Sequence, residues 1–517
     1  MLLGKNIEVE EEGIGKDMNT FMEKLKEMNN YKLTENGGVA YESTRNPVYD
    51  MFAFGGAYRD RSDVDVILLF KNALEYDETM ALKCLFYLRD CRGGQGERRF
   101  FRVAYQWLIK AYPNIARRNL KYLSEYGRWD DLIYICLGTA LEKDMVNMVR
   151  EQLILDAQCK TPSLLAKWVP SENASSYTTK KAAAALRKAL KLSHRDYRKL
   201  LSNLRTKINI VEKLMSENRW DEIEFDKIPS KAGLKYKNAF ARRDIIAQKY
   251  EKFISDEDTK VNAKTLYPYE VVEQVTDTFD YHYEEPHMDE VERLAVEKYW
   301  KNLPDYFNGK DCRTMCVVDT SGSMTSTYGK TKTAPIDVAI SLGMYCAERI
   351  GGPFKDHYIS FSSRPQLIKI EGIDFADKVA RIYKENLCDN TDLVRTFDLI
   401  LNIAKNLQVN PKDIPNTLVV ISDMEIDCGT TWGYDTERLM ATEMEKVRKK
   451  FAAAEVEMPR LVYWNVNARN NTILDSGPNV SFVSGCSPVL FEQVITGKNG
   501  WDLCCEKLLS ERYEVIQ

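Results

Sequence analysis

The hydrophobic pattern of the chain changes near residue 300, and this change restricts the possible folds more than any other feature. From about residue 46 to residue 300, apolar residues recur every three or four positions between short breaks of Gly, Asn and Pro, which is typical of amphipathic helices. Beyond residue 300, β-branched apolar runs alternate with amphipathic segments. That alternation predicts a doubly wound, mostly parallel sheet with helices on both faces. We therefore predict an α + α/β protein.

Length and composition agree with such a multidomain globular chain. The 517 residues allow two or more domains, since one domain takes roughly 100–200 residues. Hydrophobic residues make up 44% and charged residues 29%, which excludes wholesale disorder. The twelve cysteines include no C-x-x-C pair and only four histidines are available, so neither a disulfide framework nor a zinc cage is expected. Without a signal peptide or a long apolar run, we expect a cytoplasmic protein with no membrane partner.

Three parts are expected along the chain: an N-terminal arm over residues 1–45, a helical domain over residues 46–300 and an α/β domain over residues 311–517. Within the helical part, SEYGRWDDL (residues 124–132) and SENRWDEI (residues 216–223) echo each other. The echo is either a coincidence or the trace of a helix-pair repeat. Stacked repeats of this kind bury a shared core and build a curved array.

Charge is segregated along the helical part. Residues 160–207 contain twelve Lys and Arg against two acidic residues, a net charge of +10. Residues 251–300 contain fourteen acidic and five basic residues, a net charge of −9. The total of −4 therefore excludes a chain that is basic throughout but not a local basic surface.

A motif rich in oxygen donors follows the first apolar strand of the α/β part. Asp319-Thr320-Ser321-Gly322-Ser323-Met324 comes directly after the apolar residues 315–318, where open α/β sheets bind their ligands. Its carboxylate and hydroxyls suit Mg²⁺, with Mn²⁺ or Ca²⁺ as alternatives. Thr391 opens a later helix and Asp423 ends the strand over residues 417–422, so both would add donors. The alternative is an ordinary strand-to-helix turn.

An enzyme is not expected at this motif. The chain has no phosphate-binding G-x-x-x-x-G-K-[ST] loop, and no Lys or His lies in the motif to act as a base. A metal-dependent nuclease or phosphatase remains the weaker alternative.

The motif resembles the metal-ion-dependent adhesion site (MIDAS) of a von Willebrand factor A domain, over roughly residues 311–517. By that resemblance Asp319, Ser321 and Ser323 match the family's D-x-S-x-S, Thr391 matches its threonine and Asp423 its later aspartate. The resemblance implies a divalent cation whose shell an acidic partner group often completes.

A second resemblance covers nearly the whole chain. LTENGGVAYESTRNPVYDMF, YLRDCRGGQGERR, LSHRDYRKLLSNLR and VSGCSP together resemble the Ro60-type proteins, and most closely their bacterial and viral relatives. That family joins a ring of HEAT-like helical repeats, the TROVE module, to a von Willebrand factor A domain. The resemblance implies a ribonucleoprotein: small structured RNAs bind the basic outer face of the ring, and single-stranded RNA ends bind in its hole.

The basic residues of two adjoining helices support RNA binding independently, since concentrated cationic side chains are the footprint of a phosphate-backbone binder. The alternative is a solvated face or a patch that pairs with the acidic segment 251–300. The Gly-rich break over residues 92–99 is either a basic inter-helix turn or part of an RNA-lined cavity, and His194 is either a helix start or an RNA contact. Trp129 and Trp220 are interpreted as core anchors. The candidate RNA-binding residues are Lys180, Lys181, Arg187, Lys188, Lys191, His194, Arg195, Arg198, Lys199, Arg205, Arg92, Arg98 and Arg99.

The sequence thus favours a non-catalytic RNA-binding scaffold with a divalent-cation site. The rival hypothesis is a protein-interaction adaptor whose metal site docks an acidic partner group and in which the basic helices are incidental.

Overall fold

The computed structural model describes residues 29–517 except 36, 209, 280–285, 327–332, 362–364, 386–392, 407–408, 426–442, 476 and 478. Its N-terminal part is helical, and a six-stranded, mostly parallel sheet lies in the C-terminal part. The predicted mixed class is therefore confirmed at this level. Among the described helices, none is both long and apolar enough to cross a membrane.

The helices of the N-terminal part begin at residues that suit helix starts. Ser62 accepts from the backbone N–H of Asp65, whose carboxylate accepts in return, and Asp289 caps a later helix in the same way. In chain order the helices are α1 (Pro47–Phe54), α2 (Asp63–Tyr76), α3 (Glu78–Arg89), α4 (Arg98–Ala111), α5 (Pro113–Asn119), α6 (Leu123–Tyr126), α7 (Trp129–Cys136), α8 (Glu142–Gln158), α9 (Leu165–Trp168), α10 (Tyr177–Ala189), α11 (His194–Ile208), α12 (Val211–Ser216), α13 (Ser230–Arg242), α14 (Asp244–Ser255), α15 (Pro268–Thr276) and α16 (Glu290–Lys301).

The N-terminal arm contains a short β-hairpin. Its described residues form an antiparallel hairpin of β1 (Tyr31–Leu33) and β2 (Val39–Tyr41). Tyr41 also makes an isolated antiparallel bridge with Ile473, so the hairpin packs against the C-terminal part.

The sheet of the C-terminal part has fully buried central strands, as their unbroken apolar runs predict. Its strands are β3 (Thr314–Asp319), β4 (His357–Phe361), β5 (Leu367–Lys369), β6 (Thr417–Ser422), β7 (Arg460–Asn465) and β8 (Val480–Ser484). The helices around it are α17 (Pro335–Arg349), α18 (Phe375–Glu385), α19 (Leu393–Asn406), α20 (Glu443–Ala453), α21 (Phe491–Val494) and α22 (Gly500–Leu508).

The strand order β5-β4-β3-β6-β7-β8 positions the candidate site. All neighbouring strands are parallel except the edge pair β4–β5. After β3 the chain builds the sheet outward on one side, and from β6 onward it builds on the other side. The carboxyl ends of β3 and β6 therefore flank the topological switch point, where open α/β sheets bind ligands.

The two halves pack closely through glycines. A Cβ on Gly56 would lie 2.5 Å from the carbonyl oxygen of Ser484, and a Cβ on Gly485, whose φ is +103°, would clash with Oε1 of Gln95. Only residues without a side chain allow this approach. The VSGCSP segment therefore joins the sheet to the helical part.

The C-terminal end is also anchored on the helical part. The Arg512 guanidinium and the Tyr513 hydroxyl both donate to the buried carboxylate of Asp90. The Tyr513 ring stacks on Tyr126 with 5.7 Å between centroids. The last residues of the chain therefore close the contact between the two halves.

Candidate functional site

The predicted cation loop lies at the switch point of the sheet. Asp319 ends β3, Asp423 directly follows β6, and both carboxylates are fully buried. Ser422 donates its hydroxyl hydrogen to Asp319 Oδ2 at 2.6 Å, and the backbone N–H of Ser321 donates to Oδ1 at 2.9 Å. The hydroxyl oxygens of Ser321 and Ser323 lie 3.1 Å apart. Two carboxylates and the hydroxyls of Ser321, Ser323 and Ser422 thus lie together at the carboxyl edge of the sheet.

The electrostatics of this loop favour a cation. Burial, together with the nearby carboxylate of Asp423, raises the pKa of Asp319 to about 7, because two buried like charges disfavour double ionisation. Arg469 Nη2 lies 2.7 Å from Asp423 Oδ2 and offsets part of the negative charge. A divalent cation beside both carboxylates would stabilise their ionised forms.

The donor set fits a small hard cation such as Mg²⁺ or Mn²⁺. Asp319, Ser321, Ser323 and Asp423 would hold it, and Thr391 lies outside the described residues. Within the described ranges, no three or more His, Cys, Asp or Glu side chains form a metal-binding group. A cation here would therefore depend on serine hydroxyls as well as on the two carboxylates.

We expect Asp319→Asn to abolish Mn²⁺ binding measured by isothermal titration calorimetry, because it removes the charge at the centre of the donor set. In the unmodified protein the apparent affinity should fall as the pH drops below about 7, since a proton then competes with the cation for Asp319. Asp398→Asn, at an exposed pair with Lys450, is the matched control. Equal Mn²⁺ isotherms for the two variants would exclude this cation site.

A second feature is a cavity of about 1890 Å³ in the helical part, well above the roughly 300–1,000 Å³ of ordinary small-molecule sites. Its wall is built from residues of α3, α4, α6, α7, α9, α11, α12, α13 and α15 and of the loops between them, with Thr333 from the C-terminal part. Helices far apart in sequence therefore surround one space.

The cavity wall is strongly basic, with thirteen Lys and Arg against four Glu. Seven of the basic residues pair with acidic side chains: Arg59, Arg89, Arg98, Arg99, Arg102, Lys213 and Lys231. The other six make no ion pair within the described part of the chain: Arg92, Arg128, Lys167, Arg198, Arg205 and Lys235. An anionic ligand would supply the missing countercharge.

The predicted RNA-binding residues divide between two surfaces. Those that line the cavity are Arg92, Arg98, Arg99, Arg198 and Arg205. Those that lie outside its wall, on α10, on α11 and in the turn between them, are Lys180, Lys181, Arg187, Lys188, Lys191, His194, Arg195 and Lys199. The structure therefore does not bring the predicted set together as one patch.

Besides Arg98 and Arg99, whose ion pairs are given above, Arg205, Arg187 and His194 also contact other groups of the protein. Arg205 donates to the carbonyls of Ala166 and Val169 and to the Ser171 hydroxyl, at 2.8 to 2.9 Å. Those bonds use all three guanidinium nitrogens and tie α11 to the end of α9. Arg187 and His194 both contact Glu172. These contacts give all three a structural role.

Aromatic rings interleave with the cations of the wall. The Arg128 guanidinium lies 4.4 Å from the centroid of Trp168, and Lys167 Nζ lies 5.7 Å from it. Trp129, interpreted from sequence as a core anchor, packs against the core but also lines the cavity. The aromatic residues of the wall are Trp129, Trp168, Tyr197, Tyr236, Tyr267 and Tyr269.

Sequence reasoning missed several members of this wall. Arg128, Lys167, Trp168 and Lys235 are spread over more than a hundred residues. Lys167 lies within the basic block over residues 160–207, but local charge density marks neither Arg128 nor Lys235. For Arg128 the available signal was the R-W-D echo, of which it is the first residue.

The fold and these two sites define a two-part protein: a helical array around a basic cavity, joined to a mostly parallel sheet with an acidic strand-end loop. The chain belongs to the family described as domain of unknown function DUF2828, whose model matches residues 34–163 and 163–308, just over half of the chain. A second family model, domain of unknown function DUF7788, matches residues 313–507. The chain is also 29% identical over 519 aligned positions to an uncharacterized protein of Acanthamoeba polyphaga mimivirus, with 91% of this chain and 86% of that protein covered.

Proposed function

We propose that the protein is a non-catalytic RNA-binding scaffold that holds an RNA strand in its helical cavity and a divalent cation at the edge of its sheet. The observation that carries the proposal is the excess of thirteen cationic over four acidic side chains on the wall of one cavity. Phosphate groups are the anions that such a surface neutralises best, because each contact also releases counterions.

The aromatic side chains of the wall support a nucleic acid over a simple polyanion. Proteins that bind single strands combine a basic groove with aromatic rings on which bases stack. Arg128 over Trp168 supplies both a cation and a π-face in one place. The exposed lysines of α10 offer a second surface for structured RNA.

RNA is preferred over DNA because of the resemblance to the Ro60-type proteins, which also motivates a role in storing small RNAs or retaining misfolded ones. The same resemblance assigns the sheet to a von Willebrand factor A domain and the helices to a TROVE-type repeat array. Ten cysteines among the described residues are free thiols, which suits a reducing cytoplasmic setting.

The test is fluorescence anisotropy of a labelled single-stranded RNA titrated with purified protein at several salt concentrations. We expect saturable binding whose log affinity falls linearly with log salt. Five basic residues of the cavity wall lack an ion pair in the parts of the chain that the structure describes and are not held as Arg205 is: Arg92, Arg128, Lys167, Arg198 and Lys235. One phosphate contact for each gives a slope of roughly −3 to −4, at about 0.7 per phosphate on a single strand. Duplex RNA and DNA of the same sequence serve as comparison ligands.

Absence of RNA binding at low salt would overturn the proposal. So would a purified protein whose 260/280 nm absorbance ratio shows no nucleic acid together with salt-independent isotherms. Degradation of the RNA in the presence of Mn²⁺, lost in Asp319→Ala, would instead indicate a metal-dependent nuclease.

A further inference from the structure

The guanidinium group of Arg469 connects the candidate cation site at the edge of the sheet with the N-terminal hairpin. Arg469 Nη2 lies 2.7 Å from Asp423 Oδ2, and its Nη1 lies 2.7 Å from Glu35 Oε2. Asp423 is fully buried, whereas the Glu35 side chain is 45% exposed. Arg469 therefore bridges a buried carboxylate of the candidate cation site and a carboxylate at the surface.

The hairpin is fastened beside this bridge by further hydrogen bonds. The backbone N–H of Glu35 donates to Glu425 Oε2 at 2.8 Å, and Asn470 Nδ2 donates to Glu35 Oε1 at 3.0 Å. Thr472 donates its hydroxyl hydrogen to Glu425 Oε1 at 3.1 Å. Glu35 is thus held next to Arg469 by contacts that do not depend on the guanidinium.

The backbone of Arg469 is fixed as well. Its carbonyl accepts from Arg61 of the helical part, and the neighbouring Ala468 N–H donates to the Ala57 carbonyl at 3.2 Å. With both ends of the arrangement anchored, a rotation of the Arg469 side chain alone would shift its charge between Asp423 and Glu35.

We propose that Arg469 is a built-in competitor of the divalent cation: it neutralises Asp423 in the empty site and is retained by Glu35 when the cation binds. The inference rests on the cation site of the proposed function. A guanidinium and a metal ion beside the same buried carboxylate repel each other. Glu35 offers the arginine an ionic partner besides Asp423, so it lowers the free-energy cost of loading.

Two variants should change cation affinity in opposite directions. Arg469→Met removes the competitor, and Mn²⁺ should bind more tightly, on the order of tenfold. Glu35→Gln removes the alternative partner and one negative charge, and Mn²⁺ should bind several-fold more weakly. Arg469→Lys keeps the charge and should stay near the affinity of the unmodified protein. The measurement is calorimetric titration of Mn²⁺ and Mg²⁺ into the full chain.

Two control variants remove charges away from the bridge. Glu42 is exposed and lies just after β2, and Glu42→Gln removes its charge. Arg381→Met removes a partly exposed ion pair with Asp377 on α18. Neither should change the Mn²⁺ affinity. They also report any general effect of losing a surface charge or ion pair.

A merely structural role, in which Arg469 orients Asp423 for the metal, predicts weaker binding in Arg469→Met, and that sign would overturn the inference. If Arg469→Met does not fold, an unchanged affinity in Glu35→Gln would overturn it equally. Cation binding that is the same in every variant would leave the cation site standing and remove only the competitor. No cation binding to any form would remove both, without bearing on RNA in the cavity.

Discussion

Replacing Arg128, Lys167, Arg198 and Lys235 together by Met should weaken binding of single-stranded RNA by roughly a hundred- to a thousandfold at moderate salt. All four line the cavity, and none has an acidic partner among the described residues. Their loss removes cations that phosphates would neutralise without breaking an ion pair of the protein. The slope of log affinity against log salt should become shallower by about 3. Anisotropy titrations at several salt concentrations measure both effects.

The matched control is the replacement of Lys180, Lys181, Lys188 and Lys191 by Met. These four lysines are exposed on α10 and in the turn after it, outside the cavity wall, so the change in net charge is the same. Binding of a short single strand should change little in this variant. A loss in the lysine variant with unchanged binding in the cavity variant would place the strand on the outer surface and contradict the proposal.

Asp131→Ala should destabilise the folded protein by about 3–5 kcal/mol, the usual cost of leaving one partner of a buried ion pair alone. Arg89 is 2% exposed at its side chain and donates two hydrogen bonds to Asp131, which is fully buried. Arg102 Nε donates to the same carboxylate at 2.7 Å. The substitution therefore leaves a buried guanidinium without its countercharge. Chemical denaturation followed by circular dichroism measures the loss.

Asp130→Ala is the neighbouring control. Asp130 contacts Arg102 at 2.9 Å and Arg98 at 4.0 Å, and both arginines are partly exposed. Water can replace Asp130 as their partner, so we expect a loss of only about 1 kcal/mol. If the two alanine variants are equally stable, the Arg89–Asp131 pair is not a stabilising element of the cavity wall.

The position of the acidic strand-end loop was predictable because its determinants are local. An apolar run followed by Asp319-Thr320-Ser321 identifies a strand end, and parallel strands end on the same edge of a sheet. The pairing of β3 with β6 then brings Asp423 next to Asp319, as expected from strand ends alone. Arg469 could not be anticipated, because it approaches from a loop after β7 and no sequence pattern links it to Asp423.

The lining of the cavity, in contrast to the strand-end loop, was not predictable from local sequence. The basic block over residues 160–207 correctly placed a basic surface in the helical part. Most of the lysines in that block nevertheless lie outside the cavity wall. Arg205 belonged to the predicted set, but its guanidinium is committed to α9 and Ser171. Charge density along a chain does not specify which side of a helix array each side chain occupies.

By itself the sequence determined the two-part architecture and the acidic strand-end loop, since hydrophobic periodicity and strand ends are encoded within a few neighbouring residues. Only the tertiary structure decided which basic side chains line the cavity of the helical part. Arg128, Lys167 and Lys235 meet there because α7, α9 and α13 pack around one space. The same is true of the bridge from Glu35 through Arg469 to Asp423, in which Glu35 is hundreds of residues away from the other two. Both arrangements depend on contacts between distant segments, which no local pattern records.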